Sequence, residues 1–136
     1  MAKAYVFKLG DITVSVTPAG ASFQPWALPS HPGSFKGSPA KVFEYKVRVR
    51  SPEGPTYSAS AWGSINDYNR KHRDPRGIGA MVVEELLFAN SDPQEFLSMA
   101  SPSNRAQIKR TITSAKKFRY EDLVAAVEQA QEEGLT

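Results

Sequence analysis

The chain reads as an α+β domain, with an antiparallel sheet of about four strands packed by three to four C-terminal helices. Three observations predict this. Apolar and polar residues alternate over residues 12–16 and 41–50, the period of a strand with one dry face. Short turn signals, Gly10-Asp11 and Ser51-Pro52-Glu53-Gly54-Pro55, join β-rich runs in the manner of hairpins. From Pro75 onward the alternation gives way to helical spacing, opened by Asp-Pro and Ser-Pro start signals. At 136 residues the chain fits one domain, mainly β over 1–63 and mainly helical over 75–134.

Tyr5, Val6, Phe7 and Leu9 make the first strand, and Ile12, Val14 and Val16 the second. Between Pro18 and Pro39 lie five prolines and three glycines, which predicts a loop over 18–39 that is neither helix nor inner strand. That loop carries Phe23, Trp26, Leu28 and Phe35, so it is expected to lie on the sheet or to dock on something else. In residues 41–50, Phe43, Tyr45, Val47 and Val49 face one way; Glu44, Lys46, Arg48 and Arg50 face the other. The partner strand spans 57–62, with Gly63 as its end. Residues 64–74 form a polar, basic loop. Asp74-Pro75 then caps a helix whose apolar stripe is Ile78, Met81, Val82, Leu86 and Ala89. Asp92-Pro93-Gln94-Glu95 opens a short helix through Phe96. Ser101-Pro102 starts a third, edged by Ile108, Ile112 and Ala115. A fourth runs from Tyr120, with Leu123, Val124, Val127 and Ala130 inward, to Gly134.

Composition narrows the chemistry. There is no cysteine, which excludes disulfides and thiolate ligands. No apolar run approaches a membrane span of roughly 18 residues. The only histidines, His31 and His72, share no ligand spacing, so neither a metal nor a cofactor is expected. No nucleophile elbow occurs, and Glu84 and Glu85 diverge on their helix, so the reading is of a non-enzyme.

Charge is what the sequence sorts most sharply. Residues 105–119 hold six basic residues and no acidic one, whereas residues 120–136 hold five acidic and no basic. Such a block either meets an external anion or is cancelled by its neighbour, the acidic helix folding back onto the basic one. On the first alternative Arg105, Lys109, Arg110, Lys116 and Lys117 form a partner-binding ridge, with Trp26 and Phe35 as apolar anchors. On the second, the ridge is a solvated helix pair, and the loop aromatics plug the open side of the sheet. A second basic group, Lys46, Arg48 and Arg50 with Arg70, Lys71, Arg73 and Arg76, would serve a nucleic-acid or anion site. Asp74 to Gly79, with its two glycines at a helix start, is a third and weaker anion candidate, of nucleotide- or phosphate-handling type.

Residues 43–97 also carry a family resemblance. A strand ending Tyr45-x-Val47-x-Val49 leads through a hairpin to Trp62-Gly63-Ser64. A Pro-initiated helix with Val82-Val83-Glu84-Glu85-Leu86-Leu87 follows, then Ser91-Asp92 and Glu95-Phe96. This order resembles small proteins encoded by phages and integrated mobile elements, although no Trp follows Phe96. The resemblance supplies no catalytic residues. It implies a cytoplasmic binding protein that inhibits or adapts a host protein or nucleoprotein complex, such as a CRISPR or other defence effector.

Overall fold

The computed structural model describes residues 3–24, 40–64 and 75–135. Four strands, β1 (Tyr5–Leu9), β2 (Ile12–Gln24), β3 (Ala40–Arg50) and β4 (Thr56–Ser64), form one antiparallel sheet in the order β1-β2-β3-β4. Four helices follow: α1 (Pro75–Ser91), α2 (Pro93–Ser98), α3 (Arg105–Ala115) and α4 (Tyr120–Glu132). The α+β class and the strand count are those the sequence predicts. Among the described residues, no helix is long and apolar enough to cross a membrane.

The β1–β2 turn places Gly10 at φ 59 while Asp11 stays at negative φ, the sign pattern of a type II′ hairpin with glycine first. The expected loop over 18–39 needs correction at its start. β2 runs on to Gln24 as an inner strand, with Pro18 opposite Tyr45. The register shifts between Pro18 and Gly20, and Gly20 sits at φ 115. A proline cannot donate to the ladder, and a bulge is where an inner strand tolerates that loss. β4 likewise continues past Gly63 to Ser64.

One side of the sheet is buried beneath the helices. Leu9, Ile12, Val14, Val16, Val47, Val49 and Tyr57 meet Ile78, Val83, Leu86 and Leu123 there. α1 lies across the middle and touches all four strands. It comes close because Gly79 has no side chain: a Cβ there would stand 2.7 Å from Val14 Cγ1 and 2.8 Å from Phe7 Cζ. α4 packs on α1 at the β1 side, where Gln129 Oε1 accepts the Gly10 N–H at 2.6 Å. It closes with Gly134 at φ 71 and the Leu135 N–H on the Ala130 carbonyl, a Schellman end that buries Leu135.

α3 packs on the other flank of α1, against α2 and β4. It begins at Arg105, three residues past the proline that suggested its start. Residues 102–104 form a turn in which Asn104 Oδ1 accepts the Ser101 N–H at 2.6 Å. Its far end is fixed by Asn90 of α1, whose amide donates to the carbonyls of Ala115 (2.9 Å) and Phe118 (3.1 Å). The Ala115 carbonyl also accepts the Phe118 N–H at 3.1 Å, so the Asn90 amide ties together the helix end and the turn after it.

Candidate anion-binding surface

The side of the sheet away from the helices is polar. On β3, Lys46, Arg48 and Arg50 are exposed between the buried Tyr45, Val47 and Val49. Strand pairing sets hydroxyls around them. Thr13, Ser15 and Thr17 of β2 stand opposite Arg50, Arg48 and Lys46, and Thr56, Ser58 and Ser60 of β4 stand opposite the same three. Lys46 is partly engaged: Nζ lies 3.0 Å from Glu44 Oε1 and donates to Ser60 Oγ at 2.9 Å. Arg48 and Arg50 make no ion pair with the described residues.

The basic helix is exposed along one face. Arg105, Lys109 and Lys116 share it, with Arg110 and Lys117 beside them, while Thr111, Ala115 and Phe118 turn inward. The expectation that the acidic helix folds back onto this ridge is not met, because α1 stands between α3 and α4. The acidic side chains find other partners: Glu133 pairs with Arg76, and Glu121 with Arg119 at 3.8 Å. None of Arg105, Lys109, Arg110, Lys116 and Lys117 pairs with a carboxylate among the described residues.

The two basic groups meet. A depression of about 570 Å³ is lined by Ser15 and Thr17 of β2, Lys46 and Arg48 of β3, Ser58 and Ser60 of β4, and Gln107 and Arg110 of α3. Its walls therefore carry three cationic side chains and four hydroxyls. The cations were readable from the sequence. The role of Gln107 is not readable there, and the hydroxyls leave only the signal that Ser and Thr recur at period two on both strands flanking β3.

Arg110 is held in place by a chain of polar contacts rooted in the core. Tyr57, on the buried side of β4, shares a 2.8 Å hydrogen bond with Thr111 Oγ1. Thr111 Oγ1 donates to the Gln107 carbonyl at 3.0 Å, so the Tyr57 hydroxyl donates to Thr111. The Gln107 amide nitrogen donates to Tyr57 Oη at 3.3 Å, and its Oε1 accepts from Arg110 Nη2 at 2.6 Å. Burial pushes the Tyr57 phenol above its ordinary value, with the Thr111 hydrogen bond opposing. The folded state thus holds that proton more tightly than the unfolded chain does. The contribution is complete below pH 10.0 and is lost as pH rises through the folded value. Tyr57→Phe should cost about 1 kcal/mol at neutral pH. Its stability should also fall less steeply than the wild type's above pH 10.0, in urea melts taken across that range.

The remaining candidates divide. Arg76 is drawn away from the basic group, since its guanidinium pairs with Glu133 and lies 5.7 Å from the centroid of the Phe7 ring. Gly77 and Gly79 are buried in α1, and Gly79 packs on the sheet, which takes the two glycines out of an anion site. Trp26, Phe35, Arg70, Lys71 and Arg73 lie outside the described residues, as does the question of what the loop aromatics cover. Arg119, beyond α3, is committed to Glu53 at 2.9 Å, and that hydrogen bond raises its pKa further. No protein-family model matches the chain, and no curated protein or solved structure does so either.

Proposed function

We propose that this chain is a non-enzymatic binding protein whose cationic surface docks on the nucleic-acid component of a host nucleoprotein complex, which it inhibits or adapts. The supporting observation is the pairing pattern. Arg76 and Arg119 are matched to the chain's own carboxylates, whereas the five cations of the α3 ridge, with Arg48 and Arg50, are matched to none among the described residues. Opposite charges attract over several ångströms, and side chains as long as these reach a nearby carboxylate wherever the fold offers one. Here the acidic helix is held on the far side of α1, which leaves the ridge to an external anion. Serine and threonine hydroxyls between the cations suit phosphate oxygens, which accept from such donors without reading base sequence. The resemblance to mobile-element proteins agrees with a host complex as the target.

Salt dependence tests the reading. On a duplex, four phosphate contacts give a log–log slope of about −3.6, or roughly a 150-fold loss of affinity between about 50 and 200 mM salt. A labelled oligonucleotide titrated across that range should show a slope at least this steep. At physiological salt, stable capture should require the intact host complex and should be lost after nuclease treatment. Capture that resists both nuclease and salt would assign the surface to a protein partner instead.

A further inference from the structure

We infer that the depression between the outer sheet face and α3 is a discrete subsite for one phosphodiester group of a nucleic-acid backbone, with Arg110 as its positioned guanidinium. This rests on the reading above and gives it a centre. A solvated charged surface needs no concavity and no fixed side chain, and this region has both. The depression takes walls from three adjacent strands and one helix, so its cations come from parts of the chain more than sixty residues apart. Arg48 approaches from the sheet and Arg110 from the helix, both without a carboxylate partner among the described residues. Ser15 and Ser58 flank Arg48 on either side in the strand register.

The guanidinium of Arg110 is preorganised. The Tyr57–Thr111–Gln107 loop of hydrogen bonds turns the Gln107 amide so that its oxygen, not its nitrogen, meets Arg110. A planar fork held in this way loses less freedom on gripping two phosphate oxygens than an unrestrained one. Gln107 is thus a positioning residue. Val47 and Ala59 also line the depression, but its three cations and four hydroxyls suit an anion better than an apolar small molecule, whose pockets are mostly hydrophobic. Among the described residues, Glu44 is a carboxylate beside the site. It holds Lys46 through a contact of 3.0 Å and through Ser60, so an arriving phosphate competes with it for that ammonium.

The test uses the full chain and two probes, inorganic pyrophosphate at constant ionic strength and a short fluorescent oligonucleotide. Pyrophosphate should shift the backbone amide signals of Arg48, Ser58 and Ser60. Arg48→Ala and Arg110→Ala should each weaken oligonucleotide binding about tenfold and make the salt slope shallower by about 1. Gln107→Leu should weaken binding several-fold with the slope unchanged, because it removes a brace and no charge. Glu44→Gln should tighten binding by freeing Lys46. If Arg48→Ala and Arg110→Ala leave both affinity and slope as they were, while neutralising the outer α3 ridge abolishes binding, the subsite is overturned and the proposed function stands. If pyrophosphate shifts those amides but no oligonucleotide binds even at low salt, a phosphate site exists without a nucleic-acid source. The phosphodiester subsite then fails together with the proposed function.

Discussion

Gly79→Ala should lower the melting temperature, although alanine is the better helix former. In an exposed helix the exchange gains about 1 kcal/mol from backbone entropy. At this position the added methyl would sit 2.7 Å from Val14 Cγ1 and 2.8 Å from Phe7 Cζ, closer than carbon atoms approach without bonding. Val14 is fully buried in the sheet core and has nowhere to move. Overpacking of this kind costs about 1–3 kcal/mol, which outweighs the helix gain, and Gly79→Val should cost more. The mechanism has its own check. Val14→Ala removes the clashing methyl at the expense of a cavity, so the double variant should be more stable than the two single effects predict by addition. Additive losses in denaturant melts would mean that Val14 is not what limits the approach of α1 at Gly79, which leaves the contact with Phe7 as the limit.

That glycine shows where the sequence was legible and where it was not. The helix around it followed from spacing, and so did the sheet, because period-two and period-3.6 patterns report which side of each element is dry. Residues 43–50 alternate without a break, and their inward residues Tyr45, Val47 and Val49 are buried as the alternation requires. What escaped depends on contacts between elements. Gly77-x-Gly79 looked like an anion-binding turn because the sequence does not say which side of a helix will be pressed against a strand. Pro18 looked like the end of a strand because a bulge reveals itself only in the register with β3. The charge blocks were plain, but whether they cancel depended on helix order: with α1 between them, α3 and α4 reach opposite edges of the sheet. The depression was least legible of all. Its hydroxyls are unremarkable one at a time, and only the order β1-β2-β3-β4 brings Ser15 and Ser58 to either side of Arg48.

Replacing Arg105, Lys109, Lys116 and Lys117 together by alanine should weaken nucleic-acid binding on the order of a thousandfold and leave the fold intact. Arg110 is kept in this variant, so that the ridge is tested apart from the depression. Each phosphate that is no longer neutralised takes about 0.9 from the magnitude of the log–log slope, which near 0.1 M salt is roughly eightfold in affinity. Four such phosphates together weaken binding on the order of a thousandfold, and the slope keeps only the part that the depression contributes. Stability should change little, since losing Lys116 and Lys117 from the negative end of the helix offsets the relief at its start. All four side chains are exposed and make no ion pair among the described residues. Arg105 and Lys109 repel each other one helical turn apart, an unfavourable interaction of about 0.2–0.5 kcal/mol, and alanine relieves it. Arg105 also sits at the positive end of the helix dipole, where a cation is disfavoured. Arg119→Ala is the matched control: it removes the same kind of charge from a cation already bound to Glu53, and it should change affinity little. A quadruple variant that folds and still binds as tightly, with the same salt slope, would remove the outer ridge of α3 from the interface. A variant that loses binding together with its fold is not expected from side chains that the core never touches.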